Sequence, residues 1–291
     1  MDGITIALAV GACLCWALTW ILMKLGVDLM DWVVFGTLRS WAAILFIVPY
    51  VLLTHSLILG APIVVGVAVG GSLLNAFLGT ALFYYALAHG SIHESTILSN
   101  TNPLWGVISS VIFLGEGAGW TALVAATLVI GGASLLVHRT SEELATSRTL
   151  PRLAALGAGV LWGFTGAVPT KYCLNHGMSP SGYQLIYTSV AIVAWTLASA
   201  PKLMAVKKAF TKRALWIALV SSFFGIFASW LLWLTALRRV EASVLSPLQG
   251  LGLLFTVALG VVFLHERMTL RLALGGLLVV MGVSIVSILG H

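Results

Sequence analysis

Ten apolar stretches, each of about the length that crosses a bilayer, run through this chain from end to end. They cover Gly3 to about Leu25, Trp32 to about Leu53, Pro62 to about Ala88, Ser91 to Leu114 and Trp120 to Val137. After a polar gap they resume at Leu153 to about Cys173, Gly182 to Ala200, Ala214 to Leu237, Ala242 to Leu264 and Leu270 to Leu289. A spanning helix needs about 20 apolar residues for about 30 Å of hydrocarbon. Backbone N–H and C=O groups cannot go unpaired in lipid, so each stretch is predicted to be a helix. Ten spans use about 200 residues, which leaves only loops and no extramembrane domain. The expected class is an all-α integral membrane protein with ten transmembrane helices.

Composition closes off the alternatives. Charged residues make up 8% of the chain, hydrophobic ones 60%, and the mean hydropathy is +1.06. A soluble domain carries roughly 25% charge, and so few charges cannot cover the outside of a water-soluble globule. A soluble enzyme, a disordered regulator and a nucleic-acid binder are excluded. The net charge of +6 comes from basic residues scattered among loops, with no basic stripe. Cys13, Cys15 and Cys173 lie in apolar stretches and read as small core residues. The first stretch does not read as a signal peptide, since Asp2 stands at its start and Lys24 follows it. The expected location is the cell (inner) membrane, multi-pass. The expected partners are the lipid bilayer and a small-molecule solute, with no nucleic acid, cofactor or metal.

The chain also repeats itself. The polar segment His138 to Arg152 divides it into halves. Val111-Ile112-Phe113-Leu114-Gly115-Glu116 is matched 150 residues later by Val261-Val262-Phe263-Leu264-His265-Glu266. Ala86-Leu87 and Gly132-x-Ser134 recur at the same offset, as Ala236-Leu237 and Gly282-x-Ser284. Gly11-Ala12-x3-Trp16-x2-Thr19 recurs at an offset of 146 as Gly157-Ala158-x3-Trp162-x2-Thr165. The expected organisation is a first five-helix repeat over 1–138, a linker over 139–152 and a second repeat over 153–291. A repeat with an odd number of spans places its second copy upside down. Two inverted copies then enclose a site near the midplane, as in alternating-access carriers.

A ten-span chain of two five-span copies, each ending its fourth helix in Phe-Leu-x-Glu, resembles the drug/metabolite transporter superfamily in its EamA-domain branch. The early Gly-x4-Trp-x2-Thr and the Pro103…Glu116 run carry the likeness, which covers essentially the whole chain. The resemblance implies an α-helical carrier with a central cavity that moves small metabolites, amino acids among them. Pro103 is matched by Leu253, and Pro247 lies six residues earlier, so the fourth helices of the two halves are expected to break at different depths.

Eleven of the 15 Lys and Arg residues fall on one set of alternate loops, three on the other, and Arg39 lies within a span. The positive-inside rule then places both termini outside, whereas the resemblance implies cytoplasmic termini.

Arg39, deep in the second stretch, reads either as an anion-binding group or as an arginine bonded to helix-end carbonyls. Lys24 and Lys171 read as interfacial snorkelling residues. Glu116 and Glu266, just before the fifth and tenth stretches, are expected to complement those helices' N-terminal dipoles. Glu94, His93 and His89 near the fourth stretch read as interfacial. The first and sixth stretches carry no carboxylate, only Thr19 and Thr165 at matched positions, which disfavours proton antiport through one buried Glu.

The cavity walls are expected from polar and aromatic residues at mid-depth. Ser95, Ser99 and Asn102 form a polar stripe on the fourth stretch, where Pro103 leaves the Ser99 carbonyl without its helical partner. The ninth stretch offers Ser243, Ser246, Pro247 and Gln249. The third and eighth add Asn75, Tyr84, Ser229 and Trp233, and the first and sixth add Trp16, Trp20 and Trp162. The alternative for the polar stripes is hydrogen bonding between helices. Trp41, Trp120 and Trp216 read as belt residues. Gly66-x3-Gly70 and Gly159-x3-Gly163 read as close-packing notches.

The function expected from the residues together with the resemblance is secondary transport of small metabolites, with amino-acid export by alternating access as the leading reading. The alternatives are transport of other organic solutes or drugs, with or without proton coupling, a channel, or an intramembrane enzyme. The last is disfavoured because His-Glu-x-x-His and Gly-x-Ser-x-Gly are both absent.

Overall fold

A computed structural model describes residues 1–90, 92–117, 120–136, 149–203, 211–264 and 270–289. Among these residues there are helices and no strand. The first half holds α1 (Gly3–Leu29), α2 (Trp32–Thr54), α3 (Pro62–His89), α4 (Ile92–Ser99), α5 (Asn102–Leu114) and α6 (Trp120–Leu136). The second holds α7 (Thr149–Asn175), α8 (Pro180–Leu203), α9 (Lys212–Leu237), α10 (Ala242–Leu245), α11 (Leu251–Leu264) and α12 (Leu270–Leu289). A 3₁₀ turn, Ser246–Gly250, joins α10 to α11. Among the described residues, six helices are long and apolar enough to cross a membrane: α1, α2, α3, α7, α9 and the Pro180–Pro201 part of α8. Shorter apolar segments are Asn102–Leu114, Trp120–Gly132 and Ala242–Thr256. The fourth and ninth apolar stretches are therefore broken helices rather than continuous ones.

Local chemistry accounts for the helix ends. Asp2 and Asp31 cap α1 and α2, their carboxylates accepting from the N–H of Thr5 and Val33. His55, at φ +47, turns the chain out of α2 in the left-handed conformation. Pro62 opens α3 where its missing N–H costs nothing. Gly115, at φ +66, ends α5.

The outside of the bundle is apolar, with Leu53 82% and Trp120 83% exposed. Many of the polar side chains, including Asn75, Gln184, Ser222 and Thr165, are buried. This is the inverse of a soluble protein and suits a lipid surround. Cys13 and Cys173 are buried thiols that donate to the carbonyls of Leu248 and Val64.

The two halves interlock through small residues. A Cβ at Gly132 on α6 would come within 2.6 Å of the Gly275 carbonyl on α12, and one at Gly282 within 2.7 Å of the Ala125 carbonyl. Each of these contacts is the other displaced by 150 residues. Gly11 lies against Leu232 and Gly157 against Leu82, again at matched positions. Cys13 bonds the Leu248 carbonyl, and Gly159, its match, lies against the Leu98 carbonyl. Gly159 and Gly163 do form a notch, holding the α4–α5 break close to α7. Gly66 and Gly70 do not: they are exposed with nothing within 4 Å of a built Cβ, because α3 turns its Val64 and Ala68 edge inward instead.

Candidate solute-binding site

The site begins with two irregular turns. α3 passes through a π-helical stretch at Leu73–Gly79, and α9 through one at Phe223–Ala228, the matched position. A π-bulge widens the helix and releases carbonyls from the i→i−4 ladder, and such bulges are frequent at functional sites. Side chains from α8 bond matched carbonyls of the two bulges. Trp195 Nε1 donates to the Ala76 carbonyl at 3.0 Å, and Gln184 Nε2 donates to that of Ile226.

The bulges present unlike residues to the middle of the bundle. In α3 the bulge carries Asn75, whose Nδ2 donates to Thr165 Oγ1 at 2.6 Å and whose Oδ1 accepts from the Tyr187 hydroxyl at 3.1 Å. In α9 the matched residue is Gly225. The space that a side chain would take there is filled by the Arg39 guanidinium and by Thr19, the match of Thr165. Arg39 is 7% exposed. Its Nη1 donates to the Tyr84 hydroxyl at 3.1 Å and its Nη2 to the Ser221 carbonyl at 3.4 Å, while Ser222 Oγ donates to the Arg39 carbonyl. Arg39 therefore does bond a helix carbonyl, and it also lines a cavity.

That cavity lies between the halves, with about 920 Å³ of empty space including its open part. Of the residues singled out in the sequence, it brings together Trp16, Thr19, Trp20, Arg39, Asn75, Tyr84, Asn102, Trp162, Trp233 and Gln249. Asn102 Nδ2 donates to Gln249 Oε1, so the broken fourth helices of the two halves meet directly.

Five others lie outside its lining. Thr165 stands behind Asn75 as its hydrogen-bond partner. Ser95 and Ser99 are buried, and the Ser99 hydroxyl donates to the Thr96 carbonyl. The Ser99 and Leu98 carbonyls lie against Gly159 of α7. Ser229 and Ser246 donate back to Gly225 and Ala242, four residues earlier. Pro103 opens α5, and Pro247 sits in the 3₁₀ turn, so the two breaks fall at different sequence positions.

The residues that sequence reasoning missed include Tyr187, Trp195 and Trp230 from α8 and α9, and Ser40, Thr80 and Asn100 from the first half. Trp16 packs on Trp230 and Trp233 at centroid distances of 6.3 and 5.4 Å, and Tyr187 on Trp230 at 4.7 Å. The eleven Trp of the chain were a signal for such a cluster, but the two α8 aromatics carry no repeat match that would have singled them out.

Polar contacts between the halves also gather at the end of the bundle that carries Asp2. Ser179 N donates to the Ile58 carbonyl at 2.9 Å, and Ser181 Oγ donates to that of Ser56 at 2.7 Å. Glu116, expected to complement the dipole of the fifth stretch, reaches the other half. Its carboxylate accepts from Ala242 N at 3.0 Å and Ser243 N at 2.8 Å, capping α10 of the other half, because the left-handed turn at Gly115 swings it there. Lys171 likewise does not snorkel. It is buried and donates to the Leu237 and Val240 carbonyls, tying off the end of α9. Arg239 pairs with Asp2 at 2.9 Å. Glu266, His265 and the 139–148 part of the linker lie outside the described residues, as do the side chains of His93 and Glu94.

The sequence pattern of the EamA-like transporter family matches twice, over residues 3–138 and 150–288. The chain belongs to the EamA-like transporter family. That places it in the drug/metabolite transporter superfamily and makes it a multi-pass membrane protein of a transporter family. A curated relative, an uncharacterized protein of Methanocaldococcus jannaschii, is 35% identical over 77 residues, 26% of this chain and 56% of the relative. The chain thus spans only about half the length of that relative. A solved crystal structure of a protein 16% identical superposes with a TM-score of 0.81, covering 99% of this chain and 98% of the other. At that identity the likeness shows the fold.

Proposed function

We propose that this EamA-family protein is a secondary carrier of small organic metabolites bearing a carboxylate, a class that includes the amino acids. It works by alternating access across the cell membrane, exporting its solute. The observation that carries the reading is the cavity between the halves, walled by aromatic rings and holding one buried cation, Arg39. A carboxylate would neutralise Arg39, and the tryptophans would cover an apolar body. Ten spans in two inverted repeats, 1–138 and 153–291, are part of the same reading. The reciprocal contacts support it, because positions i and j meeting as j and i is the mark of a two-fold relation.

In this reading the protein rocks its halves about the cavity. The contacts of Glu116 and Ser179 with the opposite half hold one end shut and must break for the other state to form. The experiment is uptake of labelled solutes into proteoliposomes. Saturable uptake, accelerated by unlabelled solute on the opposite side, is expected. Uptake without saturation or counterflow would contradict a carrier.

A further inference from the structure

The cavity has an excess of hydrogen-bond donors and positive charge. Among the described residues, Arg39 Nε is buried without a hydrogen-bond partner, and so is Trp233 Nε1, the indole being 1% exposed. Both side chains line the cavity. The partners of the Arg39 terminal nitrogens are a hydroxyl and a carbonyl, which are neutral. No Asp or Glu lines the cavity among the described residues. The amides, by contrast, are engaged: Asn102 with Gln249, and Asn75 with Thr165 and Tyr187. Two idle donors, one of them on a cation, are an incomplete arrangement in a buried site, where unpaired polar groups are costly.

We infer that the cavity reads the net charge of its solute and takes organic monoanions, carboxylates on an aromatic or apolar body, in preference to zwitterions, cations and dianions. The inference rests on the carrier reading and narrows its substrate class. A monoanion cancels the one charge on the described lining of the cavity, and its carboxylate oxygens accept from the idle N–H groups of Arg39 and Trp233 once those side chains turn towards it. A zwitterion brings in an ammonium that meets no carboxylate of the described lining. A dianion leaves one negative charge over.

The test uses four indoles that share a ring and differ in charge: indole-3-acetate, L-tryptophan, tryptamine and indoxyl phosphate. Each is titrated calorimetrically into the full-length protein in lipid nanodiscs at neutral pH. Indole-3-acetate is expected to bind about tenfold or more tightly than the other three, a spacing of one decade in Kd. Arg39→Gln is expected to remove most of that preference. Because that substitution removes a buried, bonded group, Trp233→Phe is measured beside it. It keeps an aromatic side chain, loses the N–H together with part of the indole's bulk, and is expected to weaken the anion several-fold.

Equal or tighter binding of tryptophan or tryptamine, no binding of indole-3-acetate by the folded protein, or an affinity unmoved by both variants would overturn the inference. Flux measured in parallel separates the two readings. Saturable tryptophan flux without anion preference would reject the monoanion site and leave the carrier. Indole-3-acetate binding without flux of any solute would reject the carrier and leave the site.

Discussion

Gly225 shows how one missing side chain shapes the site. Its match in the first half is Asn75, which fills its own space. At Gly225 the vacancy admits the Arg39 guanidinium. Gly225→Ala is expected to force Arg39 and Thr19 aside and lower stability by about 1–3 kcal/mol, the usual cost of overpacking. A fall in the thermal midpoint of the purified protein would record it, and an unchanged midpoint would contradict the packing. At the chain's start, hydrogen bonds from Thr5, with Arg239 nearby, hold the Asp2 carboxyl below its ordinary value of 3.8. A depressed carboxyl stabilises above its ordinary pKa, and that contribution is lost as pH falls through the lowered one. The stability difference between the wild type and Asp2→Asn should therefore shrink from pH 6 towards about pH 3. A difference constant across that range would refute the assignment. Arg39 was legible in the sequence because a charge inside an apolar stretch has few uses. Its engagement with Tyr84 and the absence of an acidic neighbour among the described residues were not, because both depend on helices far apart in the chain.

Among the helices, the apolar runs forecast where elements begin and end, since lipid demands continuous backbone pairing. They did not forecast the π-helical stretches, which no residue type marks, nor that the second break would fall across Ser246–Gly250. The proline rule located Pro103 and Pro247 and missed where the freed Ser99 carbonyl would go, which is decided by Gly159 on another helix. The bulges give a direct prediction. Trp195→Phe keeps an aromatic side chain but trims the indole and removes the N–H that serves the Ala76 carbonyl. An orphaned buried carbonyl costs about 1–3 kcal/mol. A thermal midpoint that falls by the corresponding amount supports the role, and an unmoved one rejects it.

Across the molecule, the sequence repeats were the most informative signal, because matched positions meet matched positions: Gly132 with Gly275 and Ala125 with Gly282. Glu116 belongs to this level too, since a residue that ends one half caps a helix of the other. Glu116→Ala is expected to cost about 0.5–2 kcal/mol, as for loss of a helix cap, and to free the end of the bundle near Asp2. Faster labelling of a cysteine introduced at Ser243 by a water-soluble maleimide would report that opening, and an unchanged rate would count against it. The central claim is that the seam between the halves is a solute chamber opened in turn to each side. It is tested most directly with a single cysteine at Trp162, the three native cysteines having been replaced, probed by a membrane-impermeant thiol reagent from each side of the membrane. The account predicts labelling from both sides, suppressed from both by bound solute. Labelling from one side only, or labelling indifferent to solute, would contradict it.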